Sequence, residues 1–199
     1  QNLNNASIGI EVAFSSFITI KNNNNLNNIF GIYLKYSSNN SISTNTYSNN
    51  VFGIYLKYSN NNSISNNNCS SNNRYGSLLG GDGIHLEVSN NNIISHNNCS
   101  SNGNNGFRLY YSNTNVIYLN NIVNNTDNVY SYKSTNLWSS DKEITYTYNG
   151  TMYTNYLGNY WDDYTGTDAD GGGIGDTPYN IDKDRDNYLM MEPWENYFA

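Results

Sequence analysis

Charge is scarce in this sequence: only 13% of its 199 residues are Asp, Glu, Lys or Arg. The nine Lys and Arg form no basic cluster, which excludes nucleic acid as a partner. No apolar run approaches the ~18 residues of a membrane span. Leu and Ala are few, and about a fifth of the chain is Asn. A polar chain of that kind raises the question of disorder. No signal peptide is visible and the chain starts on Gln1, so it reads as a mature or excised segment.

What is present argues against disorder. Aromatic residues reach 15%, with 20 Tyr. The phrase GIYLKYSSNNSIS at Gly31 returns as GIYLKYSNNNSIS at Gly53. Aligned on the opening Gly, the copies start at Gly9, Gly31, Gly53, Gly83 and Gly106. One position on stand Ile10, Ile32, Ile54, Ile84 and Phe107. Three positions on stand Val12, Leu34, Leu56, Leu86 and Leu109, and eleven on stand Ile20, Ile42, Ile64, Ile94 and Ile117. Asn recurs fourteen positions on (Asn23, Asn45, Asn67, Asn97, Asn120) and nineteen on (Asn28, Asn50, Asn72, Asn102, Asn125). Biased composition alone does not hold such phases.

Within each copy apolar and polar residues alternate with the period of a strand, and the segments are too short and Asn-rich for helices. A period near 22 with three short strands reads as one turn of a parallel β-helix. Turns stack about 4.7–4.9 Å apart, so equal phases lie above one another. Stacked Ile and Leu then form the core, and stacked Asn form amide ladders at the corners. A leucine-rich repeat would need denser Leu and a helical half. The expected fold is therefore all-β: a right-handed parallel β-helix of about five turns over residues 1–125, with a C-terminal cap over 126–199. In that cap Asn149-Gly150 marks a hairpin. The long interval before Gly83 holds a loop rich in glycine (Gly76, Gly80, Gly81), in which Leu78 and Leu79 either form a contact site or fold back over the strands.

GIYLKYSNNNSISNNN, NNTDNVY and GNYWDDYTGTDADGGGIGDTPYNID together resemble the NosD-like family of right-handed parallel β-helices, in the versions found in archaeal cell-surface proteins. The resemblance spans nearly the whole chain and is most specific over Gly158 to Asp182. It implies the fold directly. Function varies more widely, because the family's name comes from copper-site maturation and its wider class holds carbohydrate-binding proteins and sugar hydrolases.

Asp168, Asp170 and Asp176 follow the alternating carboxylate plan of a calcium loop, with Gly173 at the turn and the Ile174 carbonyl as a further ligand. The family usually has Asp where Gly172 stands here. Asp182, Asp184 and Asp186 complete the expected shell from the neighbouring loop, and Ca²⁺ is the expected ion; the competing reading is an acidic solvated turn. Copper prefers His, Cys and Met, and His85, His96, Cys69 and Cys99 form no cluster. The two Cys share one phase on adjacent turns, where buried free thiols are expected.

The outward column two positions after each Gly contains Tyr33, Tyr55, His85 and Arg108, which suit stacking on sugars and hydrogen bonding to their hydroxyls. Its plainer reading is a solvated sheet face. No paired carboxylates flank a groove, so no catalysis is expected. N-glycosylation sequons start at Asn5, Asn39, Asn61, Asn68, Asn98, Asn124 and Asn149. The sequence thus points to an extracellular or cell-surface structural protein that associates end to end, with a carbohydrate-binding or carbohydrate-processing β-helix as the alternative.

Overall fold

A computed structural model describes residues 1–73 and 80–198. The expected loop around Gly76, Leu78 and Leu79 lies outside the described residues. The chain winds as a right-handed parallel β-helix of about six turns. Its broad sheet has six parallel strands, from Ile8–Ala13 through Phe30–Lys35, Phe52–Lys57, Asp82–Glu87 and Asn105–Tyr110 to Asp127–Tyr132. A second sheet stacks five short strands from Thr19–Lys21 to Val116–Tyr118, and the third side is built from strands of two or three residues. The registry is that of the sequence phases: Ile10, Ile32, Ile54, Ile84 and Phe107 pair in sequence, and Ile20, Ile42, Ile64, Ile94 and Ile117 pair on the second sheet. Ile32, Ile54, Ile84 and Phe107 are completely buried.

The opening Gly of each turn is set by close approach. A Cβ on Gly31 would stand 2.6 Å from the carbonyl oxygen of Gly53. Four corners of each of the first five turns adopt left-handed backbone. Tyr36, Asn39, Thr44 and Asn49 have φ of 49°, 60°, 57° and 56°, and the same phases repeat it in other turns. Asn tolerates this conformation best among non-Gly residues, yet Phe14, Tyr36, Tyr58, Val88 and Tyr111 hold the first corner, and Phe17, His96 and Leu119 stand at others.

A ladder residue follows each of these corners, and there are four ladders where the sequence reading gave two. Asn45, Asn67, Asn97 and Asn120 form one, and Asn28, Asn50, Asn72 and Asn102 another. Asn40, Asn62, Asn92, Asn115 and Asn136 form a third, and Ser37, Ser59, Ser89, Ser112 and Ser134 a fourth. In every Asn rung the backbone N–H donates to the next Asn Oδ1, and in most the Nδ2 does so too. The Asn45 backbone N–H and its Nδ2 both donate to Asn67 Oδ1, each at 3.0 Å. Asn67 Nδ2 in turn donates to Asn97 Oδ1 at 3.0 Å and to the Ile42 carbonyl at 2.9 Å. A buried corner amide and carbonyl that would otherwise be orphaned are thus satisfied from the side.

The solenoid runs past Asn125. The strand Asp127–Tyr132 pairs in register with Asn105–Tyr110, which adds a turn to the expected five. Asn159 then takes the next place in the Asn120 ladder, and Tyr160–Trp161 continues the third side. Phe107, Trp138, Trp161 and Tyr179 close the end of the core, with Trp161 and Tyr179 stacked 4.3 Å apart. The hairpin at Asn149-Gly150 is present, with both residues at positive φ. Cys69 and Cys99 are buried free thiols, and burial raises the Cys69 thiol well above its ordinary value.

Replacing Asn67, which is 2% exposed, by Ala removes four buried hydrogen bonds at once and leaves the Asn45 N–H without its acceptor. At about 0.5–1.5 kcal/mol for each bond, and about 1–3 kcal/mol where a buried group is left unpaired, denaturant unfolding of Asn67→Ala is expected to show a loss of at least ~3 kcal/mol. Asn61→Ala, at an exposed left-handed corner, should lose no more than the backbone penalty of about 1–2 kcal/mol. Equal losses at the two positions would refute the role given to the ladders.

Candidate functional site

The outward face of the broad sheet does not offer ring faces to sugars. Tyr33 stacks on Tyr55 at 5.3 Å and 17°, and Phe30 on Phe52 at 5.2 Å and 11°. In-register stacking turns each ring onto its neighbour, so the column presents edges and hydroxyls. That corrects the expected stacking role of Tyr33 and Tyr55. Arg108 lies with its guanidinium over Tyr130, 4.8 Å from the ring centre, which covers that ring too.

Polar groups converge instead where the repeat is interrupted. His85 pairs with Tyr55 on one side and Arg108 on the other. Asp82 stands where Phe30 and Phe52 stand in earlier turns, and it is completely buried. Its Oδ1 accepts from Asn105 Nδ2 at 2.7 Å, Asn104 Nδ2 at 3.1 Å and the Asn105 N–H at 3.2 Å. Its Oδ2 lies 3.0 Å from His85 Nδ1. Burial raises the Asp82 carboxyl, but His85 and Asn105 outweigh it and hold it below its ordinary value. An ionised Asp82 fixes Nδ1 as the protonated nitrogen and leaves Nε2 as a base or acceptor. His85 is less open than a solvated face implies, its side chain being 12% exposed.

Beside this pair the Tyr55 hydroxyl donates to Glu87, and Lys57 Nζ lies 2.9 Å from Glu87 Oε1. Burial raises Glu87, while Tyr55 and Lys57 together bring it below its ordinary value. Burial, with the Glu87 contact, raises Tyr55, so its hydroxyl stays protonated. The ion pairs among the described residues are Lys57–Glu87 and Asp82–His85, which leaves Arg108 without a carboxylate. The repeat phases already make His85, Glu87 and Arg108 neighbours; the fold adds the bonds of Glu87 to Tyr55 and Lys57 and brings the buried Asp82 onto His85.

The residues named for calcium separate into two groups. Asp168 accepts the Gly172 and Gly173 N–H, Asp170 accepts the Gly172 N–H, and Asp176 accepts Thr167 Oγ1 and the Ala169 N–H. Gly173 makes the turn at φ 84°, and Ile174 bridges to Met190. Asp182 sits at a left-handed turn on the sheet side of the cap. Asp184 and Asp186 do not complete a shell around the Asp168 loop; they end ladders. Asp184 Oδ2 accepts the Asn136 N–H at 2.7 Å and Trp138 Nε1 at 3.4 Å. Asp186 Oδ2 accepts from the Asn159 N–H at 2.7 Å, Asn159 Nδ2 at 3.2 Å and Trp161 Nε1 at 3.1 Å, and its Oδ1 accepts the Tyr188 N–H. Gly158 lacks a side chain because a Cβ there would overlap the Asp186 carboxylate. Among the described residues no three His, Cys, Asp or Glu side chains converge as a metal group. His85 Nδ1 is engaged by Asp82 and His96 packs edge-on to Trp194, so the donor set does not fit copper.

Of the sequon residues, Asn5, Asn39, Asn61, Asn124 and Asn149 are exposed at left-handed corners, whereas Asn68 and Asn98 are half-buried between turns.

The family model described as periplasmic copper-binding protein (NosD) matches residues 1–166. No curated protein matches the sequence. Among solved structures, the chain is similar to crystal structures of the periplasmic alginate epimerase AlgG. One has a TM-score of 0.59 at 22% identity, covering 70% of this chain and 35% of that one; another has 0.59 at 23%, covering 67% and 32%. The chain spans about a third of their length, and at this identity the likeness bears on fold. No helix of the described residues is long and apolar enough to cross a membrane.

Burial pushes the Asp186 carboxyl up to about 7, against four N–H donors that pull it down. Its folded value exceeds its unfolded one, so its contribution is full below pH ~4 and is lost as pH rises through 7. The loss is on the order of 4 kcal/mol. The melting midpoint of the parent relative to Asp186→Asn should therefore fall between pH 5 and 8. His96, held neutral by burial, gives the opposite slope at low pH in both proteins and cancels in the comparison. A difference that does not change with pH would contradict this.

Proposed function

The chain belongs to the NosD family of parallel β-helix proteins, and from that premise we propose that it is a periplasmic or cell-surface protein whose broad sheet face binds an anionic carbohydrate. The observation that carries the reading is the convergence of Tyr55, Lys57, Asp82, His85, Glu87 and Arg108 on three consecutive strands. A few well-placed polar groups fix the orientation of a ligand. Tyr55, Glu87 and His85 Nε2 suit sugar hydroxyls. Arg108, with no carboxylate among the described residues, suits an acidic group on the sugar. Bound ligands would run edge-on to the stacked rings. The periplasmic setting of the family's named member and the alginate epimerase likeness lend support.

A second reading, modification of the sugar, draws on the Asp82–His85 pair, whose geometry is that of an oriented general base. The likeness to an enzyme favours it over a purely structural rod. The test is calorimetric titration with a soluble polyuronate and with a neutral glucan as control. Binding of the polyuronate alone is expected, weakened roughly 10–100-fold in Arg108→Ala, as for loss of a charged hydrogen bond. Binding to neither polymer, or binding unchanged in both Arg108→Ala and His85→Ala, would overturn the proposal. Incubation of the polyuronate with the protein in D₂O separates the readings: deuterium entering the sugar ring, and lost in His85→Ala, indicates modification.

A further inference from the structure

The cap closes the solenoid unevenly. The second sheet is continued by Leu137, which bridges to Val116, and the third side by Tyr160–Trp161. Their ladders end on Asp184 and Asp186. The broad sheet has no such continuation among the described residues: the strand Asp127–Tyr132 pairs with Asn105–Tyr110 and has no strand on its other side. That strand lines an open groove of about 880 Å³, whose opposite wall is Asp162, Asp163 and Tyr179 to Asp182 of the cap. An edge strand presents unpaired N–H and C=O groups, and it is a template for another strand.

We propose that this groove takes a single extended peptide segment carrying Lys or Arg, which adds to Asp127–Tyr132 as a seventh strand of the broad sheet. Main-chain hydrogen bonds supply the affinity and alternate side chains the specificity in this mode of recognition. Charge selects the partner. Asp127, Asp162, Asp163 and Asp182 line the groove, and no Lys or Arg does. Asp162 and Asp163 are held in place by Asn124 and Asn128. Asp127 and Asp182 are exposed, and neither is in an ion pair among the described residues. The cap wall rises beside the edge, which leaves room for a strand rather than for a whole turn of a second copy. Tyr130 and Tyr132, about 40% exposed, flank the strand for the alternate side chains.

The probe is a synthetic peptide alternating Lys with Thr and Val, compared with the same peptide with Glu in place of Lys and with one methylated at alternate backbone nitrogens. Binding is read by amide chemical shifts and by exchange protection at residues 127–132. The Lys peptide is expected to protect those amides. The Glu and N-methylated peptides should bind at least ~10-fold more weakly, and Asp127→Lys/Asp182→Lys, both surface changes that leave the melting midpoint in place, should weaken the Lys peptide similarly. Binding unaffected by N-methylation would overturn strand addition. Protection of the same amides by raised protein concentration alone, with a dimer in sedimentation, would assign the edge to a second copy and overturn the proposal. No protection by any probe would do so as well.

Discussion

Each of the first five turns of this solenoid must place a left-handed corner at four points, and each corner leaves a buried amide and carbonyl that no strand can reach. The Asn and Ser ladders answer that constraint. Asn suits it because one short side chain both donates and accepts, so a rung can pass the same arrangement to the next turn. Ile and Leu fill the space between the ladders, but apolar burial is indifferent to register. The ladders fix register, since a slip by one residue would move every buried amide off its partner.

A ladder that propagates must also stop. Asp184 and Asp186 stop two of them, because a carboxylate accepts and need not donate. The cost is a buried acid, and the field of N–H groups around Asp186 reduces it without removing it. Termination therefore links the solenoid to the cap. The motif around Gly158 and Asn159 is a structural joint, with Gly admitting the carboxylate and Trp161 sealing the core.

The proposed ligand face sits where repetition fails. Phe30 and Phe52 yield to Asp82, Tyr33 and Tyr55 yield to His85 and Arg108, and Lys35 and Lys57 yield to Glu87. Each replacement sits in a position whose neighbours are fixed by the ladders, so side chains from three turns meet without a loop to hold them. The open edge at Asp127–Tyr132 is another such place, where the next repeat is not supplied.

The columns of Ile, Leu and Asn were legible because they keep phase over five copies. The third Asn ladder was not, because Ile18 breaks its first rung, and the Ser ladder was hidden among many serines. The sixth turn was missed because Asn128 replaces its Gly. The outward column of Tyr33, Tyr55, His85 and Arg108 was legible, but not its ring geometry: a column of rings satisfies itself, and only in-register stacking reveals that. Asp184 and Asp186 looked like partners of the Asp168 loop because they are near it in sequence. The most direct test of the ladder account is hydrogen exchange of the Asn side-chain amides by NMR. The Nδ2 protons of Asn45, Asn67, Asn97 and Asn120 should exchange only through global unfolding, as slowly as the core strand amides. Exchange at the rate of exposed Asn39 or Asn61 would contradict it.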